Sequence, residues 1–146
     1  MGNIHLGVYI FIEEVIDGET SILLVKKNRG PYSGKYDLPG GKIEPNEEIL
    51  EGLNREIQEE LGVCINVYKY TDENPLVIQY LSSEINHIAI VFKLSGYSIS
   101  LEMRKHKDVT SSDTSGWEWV KLRDLLGPKS SCGSPIVMEL LERAGS

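Results

Sequence analysis

Between positions 41 and 63 the chain reads GKIEPNEEILEGLNREIQEELGV, and no other stretch limits the possible folds as strongly. At ~100° per residue, Ile49, Leu50, Leu53, Ile57 and Leu61 form one apolar stripe, the pattern of a helix docked on a core. Glu56, Glu59 and Glu60 stand at i, i+3 and i+4 and share a neighbouring stripe. Crowding like charges in this way costs a few tenths of a kcal/mol per pair, roughly. A hard divalent cation with oxygen ligands turns that repulsion into binding energy. Acidic runs are also common on solvated helix faces, so the spacing carries the argument and the charge alone does not. Asn46 reads as the N-cap, Glu47 and Glu48 suit the positive end of the helix dipole, and Gly62 ends the helix. Gly52 is the odd residue, because glycine inside a helix costs about 1 kcal/mol relative to alanine. It either leaves room for an approach to a metal or permits close backbone packing.

Gly41, Glu47, Arg55, Glu56, Ile57, Glu59, Glu60, Gly62 and Val63 fill every defined position of the pattern G-x5-E-x7-R-E-U-x-E-E-x-G-U, with U aliphatic. At average residue frequencies, chance produces such a match in fewer than roughly one in ten million windows. The stretch resembles the Nudix box of the Nudix hydrolases. The resemblance implies an α/β fold, a Nudix-type α/β/α sandwich with a mixed central sheet and helices on both faces. It implies hydrolysis of the pyrophosphate bond in a nucleoside diphosphate linked to a group X. The expected cofactor is Mg²⁺, with Mn²⁺ as the alternative, held by Glu56, Glu59, Glu60 and the Gly40 carbonyl. Any of the carboxylates could take the proton from water, and the choice stays open. Glu47 lies off the carboxylate stripe, which suits an orienting role. Arg55 either pairs with a box glutamate or touches phosphate, and its distance from the stripe and its bidentate geometry favour the pairing. The box does not read X. A nucleoside triphosphate of the MutT-like type is the default substrate, with ADP-ribose and dinucleoside polyphosphates as alternatives. A non-catalytic nucleotide-binding regulator is the alternative of another class.

A chain of 146 residues is expected to form one domain, residues 1–146. Its formal net charge of -7 is the wrong sign for a general nucleic-acid footprint. An acidic protein with an acidic site holds polyphosphate only through a cation, which is a second reason to expect metal dependence. A small-molecule nucleotide is therefore the expected partner, nucleic acid and membrane are not, and a homodimer is left open. Cys64 and Cys132 form no metal or redox pattern and suit a reducing cytoplasm, with Cys64 expected in the core. The apolar run 6–12 is too short to span a bilayer, and no targeting signal is evident.

Strands are expected at 5–12 and 21–25, joined at Asp17-Gly18, and again at 63–70, 75–81, 87–94 and 117–120. A turn is expected at 84–86, a helical turn at 122–126, and a helix at 135–143 covering the sheet face opposite the box helix. Residues 26–36 form a glycine- and proline-punctuated loop with four positive charges. Its Arg29 and Lys35, with Lys42 beyond, are candidates for gripping phosphates or the leaving group, although charge runs are often mere solvated loops. Tyr32 and Tyr36 could stack on a base or simply pack. His87 reads as a surface or packing residue. Residues 95–115 have loop composition. The resemblance, counted back from Glu118-Trp119, puts a further ligand or base at Asp113, with Glu102 and Asp108 as rivals.

Overall fold

The computed structural model describes residues 3–67, 74–94 and 114–144. Among them run β1 (Asn3–Ile16), β2 (Glu19–Lys27), β3 (Tyr36–Asp37), β4 (Gly40–Lys42), α1 (Ile49–Leu61), β5 (Leu76–Leu81), β6 (Ile85–Leu94), β7 (Thr114–Lys121), α2 (Leu122–Leu125) and α3 (Pro135–Ala144). The sheet order is β3-β2-β1-β6-β5, with β4 paired to β1 and β7 to β2. β1 and β6 are parallel, while β1–β2, β1–β4, β2–β7 and β5–β6 are antiparallel, so the sheet is mixed. The long β1 serves both halves. Its early residues pair with β4 and β6, and its last residues turn through Asp17 (φ 52°) and Gly18 (φ 79°) into β2. Two successive left-handed residues give the twist that a two-residue hairpin needs.

Side chains alternate across this sheet. Val8, Ile10, Ile12, Leu23 and Val25 face α1, where Leu53, Ile57 and Leu61 are completely buried. Tyr9, Phe11, Ile22 and Leu24 face the other way and meet Ile136, Val137 and Leu140 of α3. The two helices thus cover opposite faces, as expected for an α/β/α sandwich. Removing a side chain such as Leu53 from so closed an environment costs on the order of 2–5 kcal/mol.

Several boundaries differ from expectation. Asn46 is not the N-cap. It occupies a left-handed turn (φ 69°), a conformation that asparagine tolerates better than most residues. Glu48 caps α1, and its backbone N–H donates to Glu51 Oε1 at 3.4 Å. Gly62 does close the helix, at φ 73° with its N–H on the Gln58 carbonyl. Ile49 is largely exposed, so the buried stripe begins later than its spacing suggests. Of the strand expected at 63–70, residues 63–66 form none and 68–70 lie outside the described residues, yet Val63, Ile65 and Val67 are buried against the α1 cluster. Cys64, between two of them, points outward and is exposed rather than core. β6 begins at Ile85, and the turn before it is held by Ser82 Oγ, which accepts the Glu84 and Ile85 N–H groups. No helix among the described residues is long and apolar enough to cross a membrane.

Candidate active site

The turn before β4 brings the backbone against α1. Gly40 has φ 140°, and a Cβ there would lie 2.1 Å from the Val8 carbonyl oxygen, so only glycine fits. Its N–H donates to Glu60 Oε1 at 2.7 Å. A Cβ on Gly41 would sit 2.6 Å from the Glu56 carboxyl carbon. The two glycines therefore let a strand lie directly on two carboxylates of the helix.

The three glutamates of the stripe have three different environments. Glu60 is 1% exposed, and its Oε2 has no hydrogen-bond partner. Burial pushes its carboxyl well above the ordinary range, opposed by the Gly40 N–H. The Glu56 side chain is 12% exposed, and burial raises it too, with Arg55 opposing. Glu59 is half exposed, 3.7 Å from Arg55. Sequence spacing suggested a common point for all three. Among the described residues no three acidic, histidine or cysteine side chains converge closely enough to hold an ion. An orphaned buried carboxylate oxygen beside a second, partly exposed carboxylate still fits a hard cation, which takes oxygen ligands.

Arg55 clamps this arrangement. Its Nε and Nη2 donate to the two oxygens of Glu47 at 2.7 and 3.0 Å. Its Nη1 donates to Glu56 Oε1 at 2.9 Å, and Nη2 to the Lys42 carbonyl at 3.1 Å. One guanidinium thus fixes the helix entry, β4 and one stripe carboxylate together, the fork geometry at which arginine excels. Hydrogen bonds from Arg55 hold Glu47 down at about 2. The space beside Gly52 is filled by Glu47, whose Oε1 would lie 2.9 Å from an added Cβ. Close packing therefore explains that glycine, against a side chain instead of backbone.

A cavity of about 390 Å³ opens beside this clamp, with Glu56, Gly41, Lys42, Lys27 and Arg29 among its walls. Tyr9, Tyr32, Asp37 and His87 line it as well. His87 is buried, not superficial, and bonds the Tyr9 hydroxyl through Nε2 at 2.9 Å and the Tyr32 hydroxyl through Nδ1 at 2.8 Å. Burial lowers it to about 4. Asp37 accepts from Ser134 Oγ at 2.8 Å and from the Leu38 N–H at 2.9 Å, and burial raises it to about 6.

Of the expected substrate grips, Arg29 and Lys42 reach the cavity, and Lys35 and Tyr36 do not. Lys35 Nζ is spent on the Ser131 carbonyl at 2.6 Å, and the Tyr36 hydroxyl on Glu118. Both tie the 28–35 loop region to the second half of the chain. Asp113, with its rivals Glu102 and Asp108, lies outside the described residues. Lys27, one of the four positive charges of the 26–36 stretch, reaches the cavity as well. Sequence reasoning missed Asp37, Tyr9 and His87 as cavity residues. Their only signal was polarity inside or beside apolar strands.

This geometry, two glycines pressed on two helix carboxylates with an arginine clamp behind them, goes with a match to a family model. The NUDIX domain model covers residues 5–140, and the chain belongs to that family. Among curated proteins, an ADP-ribose pyrophosphatase of Methanocaldococcus jannaschii is 32% identical over 78 residues, 49% of this chain and 46% of that protein. A nucleoside triphosphatase NudI of Salmonella agona is 46% identical over 46 residues, 32% of this chain and 33% of that protein. These matches span half or less of the curated relatives. Among solved structures, a MutT protein of Methanosarcina mazei Go1 superposes with TM-score 0.69 at 28% identity, covering 97% of this chain and 93% of that one.

Proposed function

We propose that this protein hydrolyses the pyrophosphate bond of a nucleoside diphosphate linked to X, using Mg²⁺ or, in its place, Mn²⁺. A nucleoside triphosphate is the favoured substrate. The observation that carries the reading is the buried Glu60 carboxylate with one oxygen unpartnered, beside Glu56 and the cavity. Glu56, Glu60 and the Gly40 carbonyl would hold the ion, joined by Glu59 once it turns inward. When bound, the ion supplies charge neutralisation on the phosphoryl oxygens and a more acidic water.

The chain's own groups do the rest. Arg55 holds Glu56 against β4 and keeps Glu47 from the site, a positioning role. Lys27, Arg29 and Lys42 line the cavity where the anionic chain enters. The water oxygen bonds to phosphorus, the P–O–P bond breaks, and a carboxylate accepts the water's proton. The products are a nucleoside monophosphate and phosphorylated X, or pyrophosphate from a triphosphate. ADP-ribose is the second reading, favoured by the aligned stretch shared with the archaeal pyrophosphatase. The two free cysteines suit the cytoplasm, where we assign the protein.

The test is an ion-pair chromatography screen of nucleotides with Mg²⁺ or Mn²⁺. Release of a nucleoside monophosphate is expected. Nanomolar binding of one nucleotide with no turnover of any would replace this reading with a binding regulator.

A further inference from the structure

Tyr9, His87 and Tyr32 come from β1, β6 and the 28–35 loop, yet their polar atoms form one chain inside the cavity. Its hydrogens can be counted. A neutral imidazole has one N–H and each tyrosine one O–H, which makes three hydrogens for two links. The imidazole donates to one hydroxyl and accepts from the other. The hydroxyl that accepts keeps its own hydrogen, aimed away from the ring. Among the described residues neither hydroxyl bonds a further protein atom. One O–H donor is therefore left over in a cavity whose walls here include Leu6, Pro31 and Ile85.

Tyr32 lies nearly parallel to His87, with centroids 5.5 Å apart and planes at 22°. Neutral rings and apolar walls suit a flat uncharged ligand. A phosphate placed here would exchange water for neutral donors and meet the buried Asp37 carboxylate. We infer that the Tyr9–His87–Tyr32 network is a specificity-determining element that offers one hydroxyl donor to the nucleobase. It selects bases with a carbonyl oxygen at that point over bases with an amino group, which would leave the donor orphaned. This rests on the nucleotide reading of the cavity but not on turnover.

The test is calorimetric titration of the full chain, with Mg²⁺ present throughout, with inosine monophosphate, adenosine monophosphate and inorganic pyrophosphate. The two monophosphates differ at ring position 6, carbonyl against amino, and with it at N1, which carries hydrogen in inosine and a lone pair in adenosine; neither contains a pyrophosphate bond to hydrolyse. Inosine monophosphate is expected to bind roughly 3- to 10-fold tighter, the range of one neutral hydrogen bond. Tyr9→Phe, Tyr32→Phe and the double variant follow, each checked for folding by circular dichroism. Collapse of the ratio to about one in a folded variant, with pyrophosphate binding unchanged, supports the inference. Equal binding by the wild type overturns it, as does a ratio unchanged in every folded variant or an equal loss for pyrophosphate. Turnover without base discrimination sinks this inference alone, whereas discrimination without turnover sinks the hydrolase reading alone.

Discussion

Glu60 and Asp37 are both buried carboxylates, and their partners separate them. Glu60 has one oxygen satisfied and one orphaned beside the proposed ion site, so its charge has a use there. Glu60→Gln keeps an acceptor for the Gly40 N–H and removes the charge. Initial-rate assays should show activity lower by orders of magnitude, with far-ultraviolet circular dichroism unchanged. Glu59→Gln should also lose activity if Glu59 joins the shell, and full activity in both variants would reject the metal assignment. Asp37, in contrast, has two donors on Oδ1 and the burial cost of its charge remains. Its folded value of about 6 exceeds the ordinary 3.8, so ionisation favours the unfolded chain. Its contribution to stability is complete below pH 3.8 and is lost as pH rises through about 6. The difference of about two units, at roughly 1.4 kcal/mol each, amounts to about 3 kcal/mol at most. Asp37→Asn should therefore raise stability in urea melts at pH 8, with the gain shrinking toward zero near pH 4. A variant equally stabilised at both values would show that desolvation of the charge is not the cause.

On the scale of the element, α1 was legible because one period served two purposes. Leu53, Ile57 and Leu61 marked the buried stripe, and the glutamates beside them marked the candidate site. Its start was less legible. Asn46 looks like a cap by residue type, but a left-handed turn uses asparagine equally well. Residues 63–67 alternate as a strand would and bury Val63, Ile65 and Val67 accordingly. Alternation reports which side faces the core, and a ladder also needs a free neighbour, which sequence does not show. Gly52 tests the balance between helix propensity and the clamp. Alanine there should gain about 1 kcal/mol for the helix. It also displaces Glu47, which Arg55 and the Glu44 N–H hold in place. A double-mutant cycle should find Gly52→Ala stabilising in a Glu47→Ala background and clearly less so in the wild type. Equal effects in both backgrounds would mean that the glutamate yields freely.

Across the whole molecule, the local patterns predicted the two helix-covered faces and most strands, but not the meeting of distant side chains. His87 and Tyr32 are 55 positions apart, and Lys35 and Ser131 are 96. Only the parallel β1–β6 pairing and the closure of the 28–35 loop bring such groups together. The proposed ion site is equally non-local, since Gly40 and the Glu56–Glu60 turn of α1 converge only in the folded chain. An ion that needs both segments binds the native state and not the unfolded one. Its effect on stability is then RT ln(1 + [ion]/Kd), about 2.7 kcal/mol at a hundredfold excess over Kd. For a chain of 146 residues this corresponds to a rise in Tm of roughly 5–11 °C. Differential scanning calorimetry of the wild type should show that rise on adding Mg²⁺ and its reversal by a chelator. Glu60→Gln should show little of either, because the orphaned oxygen that draws the ion has lost its charge. An unchanged wild-type Tm at saturating Mg²⁺ would separate these carboxylates from metal binding, and an equal rise in the variant would move the ion elsewhere.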